Sequence, residues 1–433
     1  MFKLEKLKSG LRVLKIPVAG VESISCVVMV KAGSRLEDEP ADYGVAHFLE
    51  HMVFKGTTKY ADAKAITERI DGIGAVFNAF TGQEMTAFYI RSAAKDVAVS
   101  LDMLGQMTTQ MSLRQEEIDK ERGVIVEEMH MYEDQPSNHN ADEFAQMFYG
   151  ESGLAHNIVG TRESIAAINR PNFVKFVNRW YQPANMLLVI AGKKDVVLGS
   201  ETQKMAEESF QFRSFAQPAW KPEAQWVKNF VYGGLLNFID RQTEQVHFML
   251  GWPGLTTFDK RDAAIGLLRA ILGGNMSSRL FSQVREKRGL CYYIHANSDA
   301  FGDAGYFGAA AGVNPEKLVE AVKVSVGEFY DLASGRKALT DEELERAKNF
   351  SCGQMTLAQE SVHSLALHYG EHYLFHDEVE EVAAEIERYQ KVTKEEVVQL
   401  ARELLVSSEL RLSAIGNISE QQKSEIEKIV WGK

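Results

Sequence analysis

His47-Phe48-Leu49-Glu50-His51 sets two imidazoles and a carboxylate within a single helical turn. On a helix over 46–54, His47 and His51 stand one turn apart on one face, near enough to hold the same metal ion. Glu50 lies beside them, placed to work on a metal-bound water. Two imidazoles, one further carboxylate and an open position are the usual ligand set of catalytic zinc. The order H-x-x-E-H inverts the H-E-x-x-H helix of other zinc hydrolases. A five-residue match arises easily by chance, so its meaning depends on a third ligand.

That ligand is expected from Glu117–Asp134 (EIDKERGVIVEEMHMYED), a run of strong helix formers with one glycine that predicts a long helix. Glu121 and Glu128 are seven apart, two turns along nearly the same face. Spacing alone leaves Glu127, the neighbour of Glu128, open as the ligand.

The spacing from His51 to Glu128, together with the motif, resembles the pitrilysin/insulinase metallopeptidases (the inverzincins). Their motif is HxxEH followed, at this same spacing from its second histidine, by a glutamate ligand, with another glutamate seven positions before it. The resemblance implies His47, His51 and Glu128 as ligands of one zinc per chain. It implies Glu50 as general base and Glu121 as a carboxylate that steers the ligands or the water. Gly74–Ile90 (GAVFNAFTGQEMTAFYI) is similar to the family's edge strand, where Asn78 and Ala79 would meet an extended peptide. Arg285 and Tyr292, again seven apart and preceded by GGNMSSRLF (Gly273–Phe281), resemble the pair that holds substrate backbone and stabilises the oxyanion. The likeness runs from Leu11 to Gly416.

The elements that must position these residues read as one α+β unit used twice. Strand-like Ile24–Ser34 precedes the motif helix, a helix near Asp62–Ile73 and two strands in Val76–Ser92. Helices near Asp96–Met111, 115–134, Asn140–Tyr149 and Pro171–Trp180 follow, and the strand Met186–Ala191 closes the unit. The second copy runs from a strand at Gln245–Trp252, through helices at Lys260–Leu272 and Ser278–Lys287, to strands near Tyr292–Asp299 and Gly305–Ala311. Helices at Pro315–Ala333, Asp341–Glu360, Val379–Tyr389 and Lys394–Leu405 then lead to a strand at Leu410–Ile415. Glu116-Glu117-Ile118 pairs with Glu342-Glu343-Leu344 at an offset of 226, which sets Gln354 opposite Glu128. Two homologous domains are therefore expected: a zinc-binding unit over 1–212 and a metal-free unit over 213–433. Each holds an antiparallel-rich sheet packed with helices, with a linker near 211–228. In the family, two such units form one half of a clam-shell chamber. Two chains are then needed to close it, which implies a homodimer whose Arg285/Tyr292 pair serves the opposite subunit's zinc.

His368-Tyr369-Gly370-Glu371-His372 repeats the motif but is expected to be inert. A glutamate partner at the spacing of Glu128 from His51 would lie past Lys433, and Gly370 weakens a helix. His130, two residues past Glu128, is roughly 200° round the helix and faces away.

With 433 residues, 45% hydrophobic and 25% charged, the chain reads as an ordinary globular protein of more than one domain. A net charge of −12 argues against nucleic acid. Gly273-Gly274 lacks the lysine and serine of a phosphate loop, so nucleotide binding has no support. No apolar run is long enough to span a membrane. Three scattered cysteines and an N-terminus without a leader's apolar core suggest a cytoplasmic location. The expected activity is endoproteolysis of short or unfolded peptides, as in a processing peptidase. The alternative is a non-catalytic or heterodimer-dependent structural subunit of the same family.

Overall fold

The structure is a computed structural model, and it describes residues 2–212 and 230–431. From 213 onward the expected linker lies outside the described residues. The architecture is mixed α+β, built on two sheets.

The first sheet contains β1 (Lys3–Lys6), β2 (Arg12–Val18), β3 (Ser23–Val30), β4 (Val76–Thr81), β5 (Thr86–Ala93) and β6 (Met186–Lys193), in the order β1-β2-β6-β3-β5-β4. Only β2 and β6 run parallel; the other neighbours are antiparallel. The sequences of β3 (SISCVVMV) and β6 (MLLVIAGK) are nearly unbroken apolar runs, the pattern of strands covered on both faces. Alternation then sorts their side chains. Cys26, Val28, Leu188 and Ile190 enter the core that also holds Phe48, Leu49, Ile118 and Phe173. Val27, Met29, Leu187 and Val189 enter a second layer with Ala366, Tyr373 and Leu374.

That second layer is made by the helix Val362–His376, which packs on β3 and β6. It comes so close at Gly370 that a Cβ there would stand 2.8 Å from Met29 and Val189 side-chain atoms. The glycine that weakened the second H-x-x-E-H as a helix is therefore what seats it.

The second sheet contains β7 (Leu236–Asp240), β8 (Val246–Pro253), β9 (Cys291–Ala300), β10 (Gly305–Val313) and β11 (Arg411–Gly416), in the order β7-β11-β8-β10-β9. Its parallel pair is β7/β11. This is the wiring of β2-β6-β3-β5-β4 repeated. The constant offset of 226 does not hold throughout: β9 follows its counterpart β4 at a shorter distance in sequence, because the early connections differ in length.

Contacts divide the described chain into two compact units, 2–129 with 156–212 and 357–381, and 130–155 with 230–356 and 382–431. The helix Pro136–Tyr149, from the first copy, thus belongs to the second unit, where it packs on β11 and β8. Val362–His376, from the second copy, belongs to the first. No helix among the described residues is long and apolar enough to cross a membrane.

Candidate metal centre

The motif lies on the helix Val45–Met52 (VAHFLEHM), anchored by the fully buried Phe48 and Leu49. Phe48 meets Phe173 edge to face, with centroids 5.1 Å apart. So short a helix needs its end secured. The residue before it, Gly44, adopts φ 90° and offers no side-chain cap. Glu37 supplies one from outside: its carboxylate accepts from the N–H groups of Gly44 (2.8 Å) and Ala46 (2.9 Å). Burial nonetheless raises the Glu37 pKa well above the usual range.

The third member comes from the helix Gln115–Asp134, which sets Ile118, Ile125 and Met129 into the core. Glu121 and Glu128 share that inward side, and the apolar residues fix where their carboxylates stand.

His47, His51 and Glu128 each offer one atom to a cluster whose ligand atoms all lie within 4.8 Å of one another. Among the described residues this is the one such group of three or more. Glu128 approaches His47 Nε2 at 3.7 Å and His51 Nε2 at 3.4 Å. His51 Nδ1 lies 3.0 Å from Glu121, whose other oxygen pairs with Lys55 at 2.6 Å. With Nδ1 engaged, Nε2 of His51 is left for a metal. Two imidazole nitrogens, one carboxylate and an oriented second histidine suit zinc.

Among the site's own groups, a proton on His51 offsets carboxylate charge. Burial opposes a charge on His51, but hydrogen bonds to Glu121 and Glu128 outweigh it and push its pKa up to about 9. Burial and the neighbouring His51 bring His47 down to about 4, so it stays neutral. The hydrogen bond from His51 lowers Glu128. Burial alone would raise Glu121, but His51 and Lys55 bring it below the usual range. Among the described residues, Nδ1 of His47 is buried without a hydrogen-bond partner.

Glu50, on the same helix, accepts a 2.6 Å hydrogen bond at Oε2 from Thr81, the last residue of β4. Burial raises the Glu50 pKa against this hydrogen bond. Asn78 and Ala79 lie on β4, an edge strand, and Asn78 Oδ1 accepts from the Ala79 N–H at 2.9 Å. Arg285 and Tyr292 belong to the second unit. Arg285 lies in a π-helical turn, Phe281–Glu286, where a longer ordinary helix was expected. Its guanidinium is 4.7 Å from the Phe281 ring centroid and 5.7 Å from that of Tyr292, which is 75% exposed.

Sequence reasoning missed Glu37, Lys55 and Thr81. Only Lys55, four residues after His51, carried a signal in its spacing. The second H-x-x-E-H contributes to no three-residue metal group among the described residues.

Comparisons with known proteins bear on the family and the fold. Residues 13–162 match the family model described as insulinase (peptidase family M16), and 167–350 match the one described as peptidase M16 inactive domain. An uncharacterized zinc protease of Streptomyces coelicolor is 33% identical over 98% of this chain and 91% of its own length. One from Bacillus subtilis is 31% identical over 93% and 96%. A Helicobacter pylori protease of known structure superposes with a TM-score of 0.86 over 96% of this chain and 99% of its own, and at 21% identity speaks for the fold. The chain belongs to the insulinase (peptidase M16) family.

Proposed function

We propose that this chain is a zinc-dependent endopeptidase acting on short or unfolded peptides, with Glu50 as general base. The observation that carries the reading is the placing of Glu50 in the turn that bears His47 and His51, with those imidazoles and Glu128 within 4.8 Å. Zinc held by the three would act as a Lewis acid, acidifying water and polarising the scissile carbonyl. The zinc proteases among its relatives support the same reading.

The protein's own groups have distinct tasks. Thr81 holds Oε2 of Glu50, so Oε1 takes the proton from the attacking water and later delivers it to the departing amine. Burial strengthens Glu50 as a base. Glu121 fixes the His51 ring and Lys55 fixes Glu121. The peptide adds as a strand along β4, where main-chain hydrogen bonds give affinity with little sequence preference. To reach the Ala79 N–H, a substrate carbonyl replaces the Asn78 oxygen. Arg285 and Tyr292 donate to the developing oxyanion.

In this reading the enzyme is a homodimer with one zinc per chain and composite sites, the Arg285/Tyr292 pair acting on substrate at the partner chain's centre. Sedimentation should give twice the 48.5 kDa chain mass.

The decisive test is cleavage of a quenched fluorogenic peptide mixture by wild type and Glu50→Gln, with bound zinc counted. Zinc should persist in the variant while turnover falls by roughly 10² to 10⁴. Zinc without cleavage in wild type would point instead to the non-catalytic subunit.

A further inference from the structure

The helix Val362–His376 carries His368, His372 and His376 at four-residue intervals, along a face turned away from the buried Ala366, Gly370 and Leu374. The rings of His372 and His376 lie with centroids 4.5 Å apart and planes 28° from parallel. Nδ1 of His372 is 2.8 Å from the carbonyl oxygen of Glu378. A carbonyl can only accept, so Nδ1 carries the hydrogen, which leaves Nε2 as the atom this ring can offer a metal. This is how proteins orient an imidazole for a metal. His376 stands in the last turn of the helix, where the end carbonyls favour positive charge. Burial and the nearby His372 hold His368 below the ordinary imidazole range, in the neutral form.

We propose that His372 and His376 form a second, weaker site for a divalent transition ion of the kind that prefers imidazole: zinc, nickel or copper. It lies on the opposite face of the first sheet from the motif helix. Its pair is not the H-x-x-E-H pair His368/His372 but the next turn along. Two protein ligands leave the remaining positions to water, so the ion exchanges readily. When bound, it ties the last turn of the helix to the chain that follows through His372 and Glu378.

The site is tested on zinc-loaded full-length protein dialysed against buffered free Ni²⁺, with both metals counted per chain. Wild type should take up nickel without losing zinc. His376→Gln and His372→Gln should lose that nickel while keeping zinc. Nickel gained only as zinc departs, or nickel retained by His376→Gln as in wild type, overturns the proposal. Should His372→Gln fail to fold for want of its bond to Glu378, His376→Gln alone decides.

Discussion

The two sheets share one wiring, yet only the first unit gathers a metal-ligand trio among the described residues. Where the first unit places VAHFLEHM after its second long strand, the second places Asp262–Gly273 (DAAIGLLRAILG), an apolar helix without histidine. Where the first has Glu128, the second has Gln354 at the matching position. Each sheet is built by the same alternation of buried Val, Leu, Ile and Ala, which specifies the scaffold and nothing else. Chemistry enters through a few polar residues on inward faces. They are tolerated because most are paired there: His51 with Glu121, Glu121 with Lys55, Glu50 with Thr81.

If that pairing is what separates the units, weakening it should show first in the metal. Glu121→Gln removes the charge that orients His51, and zinc affinity should fall roughly 10- to 100-fold in a chelator competition. A fall no larger than that of an exposed control such as Glu163→Gln would make Glu121 incidental.

Gly370→Ala probes the packing that covers the first sheet rather than its chemistry. The added methyl meets Met29 and Val189 at 2.8 Å and should cost about 1–3 kcal/mol, offset in part by about 1 kcal/mol of helix propensity. The expected result is a lower melting temperature with zinc content unchanged. An unaltered melting temperature would mean that the helix shifts freely on the sheet.

A further effect is on pH dependence. His51 has a folded pKa of about 9, above its ordinary 6.5, so its proton stabilises the metal-free fold fully below pH 6.5. That contribution is lost as pH rises through about 9. The apoprotein should therefore melt lower at about pH 9 than at about pH 6, and more steeply so than the zinc form, in which the metal has displaced the proton. Equal slopes would contradict the proton-balanced site.

Much of this was legible in the sequence. A 3.6-residue period exposes a helix wherever one face is apolar, so Gln115–Asp134 and the motif helix were found within two residues of their ends. Strand runs such as β3 and β6 stood out because both faces are covered. The polar helices Ser200–Ser209 and Glu420–Trp431 were missed, as they bury few residues. The cap from Glu37 and the bond from Thr81 join residues from different elements, and no local pattern encodes them. The exchange of Pro136–Tyr149 and Val362–His376 between the units was hidden for a related reason. An apolar face announces that a helix will be buried, not which of two like sheets will bury it.

The central contrast is tested most directly by counting zinc per chain in wild type, Glu128→Gln and Gln354→Glu, each purified without chelator. Wild type should carry about one ion, Glu128→Gln little or none, and Gln354→Glu still about one, since a carboxylate alone without paired histidines makes no zinc site. Full zinc in Glu128→Gln, or a second ion gained by Gln354→Glu, would contradict it.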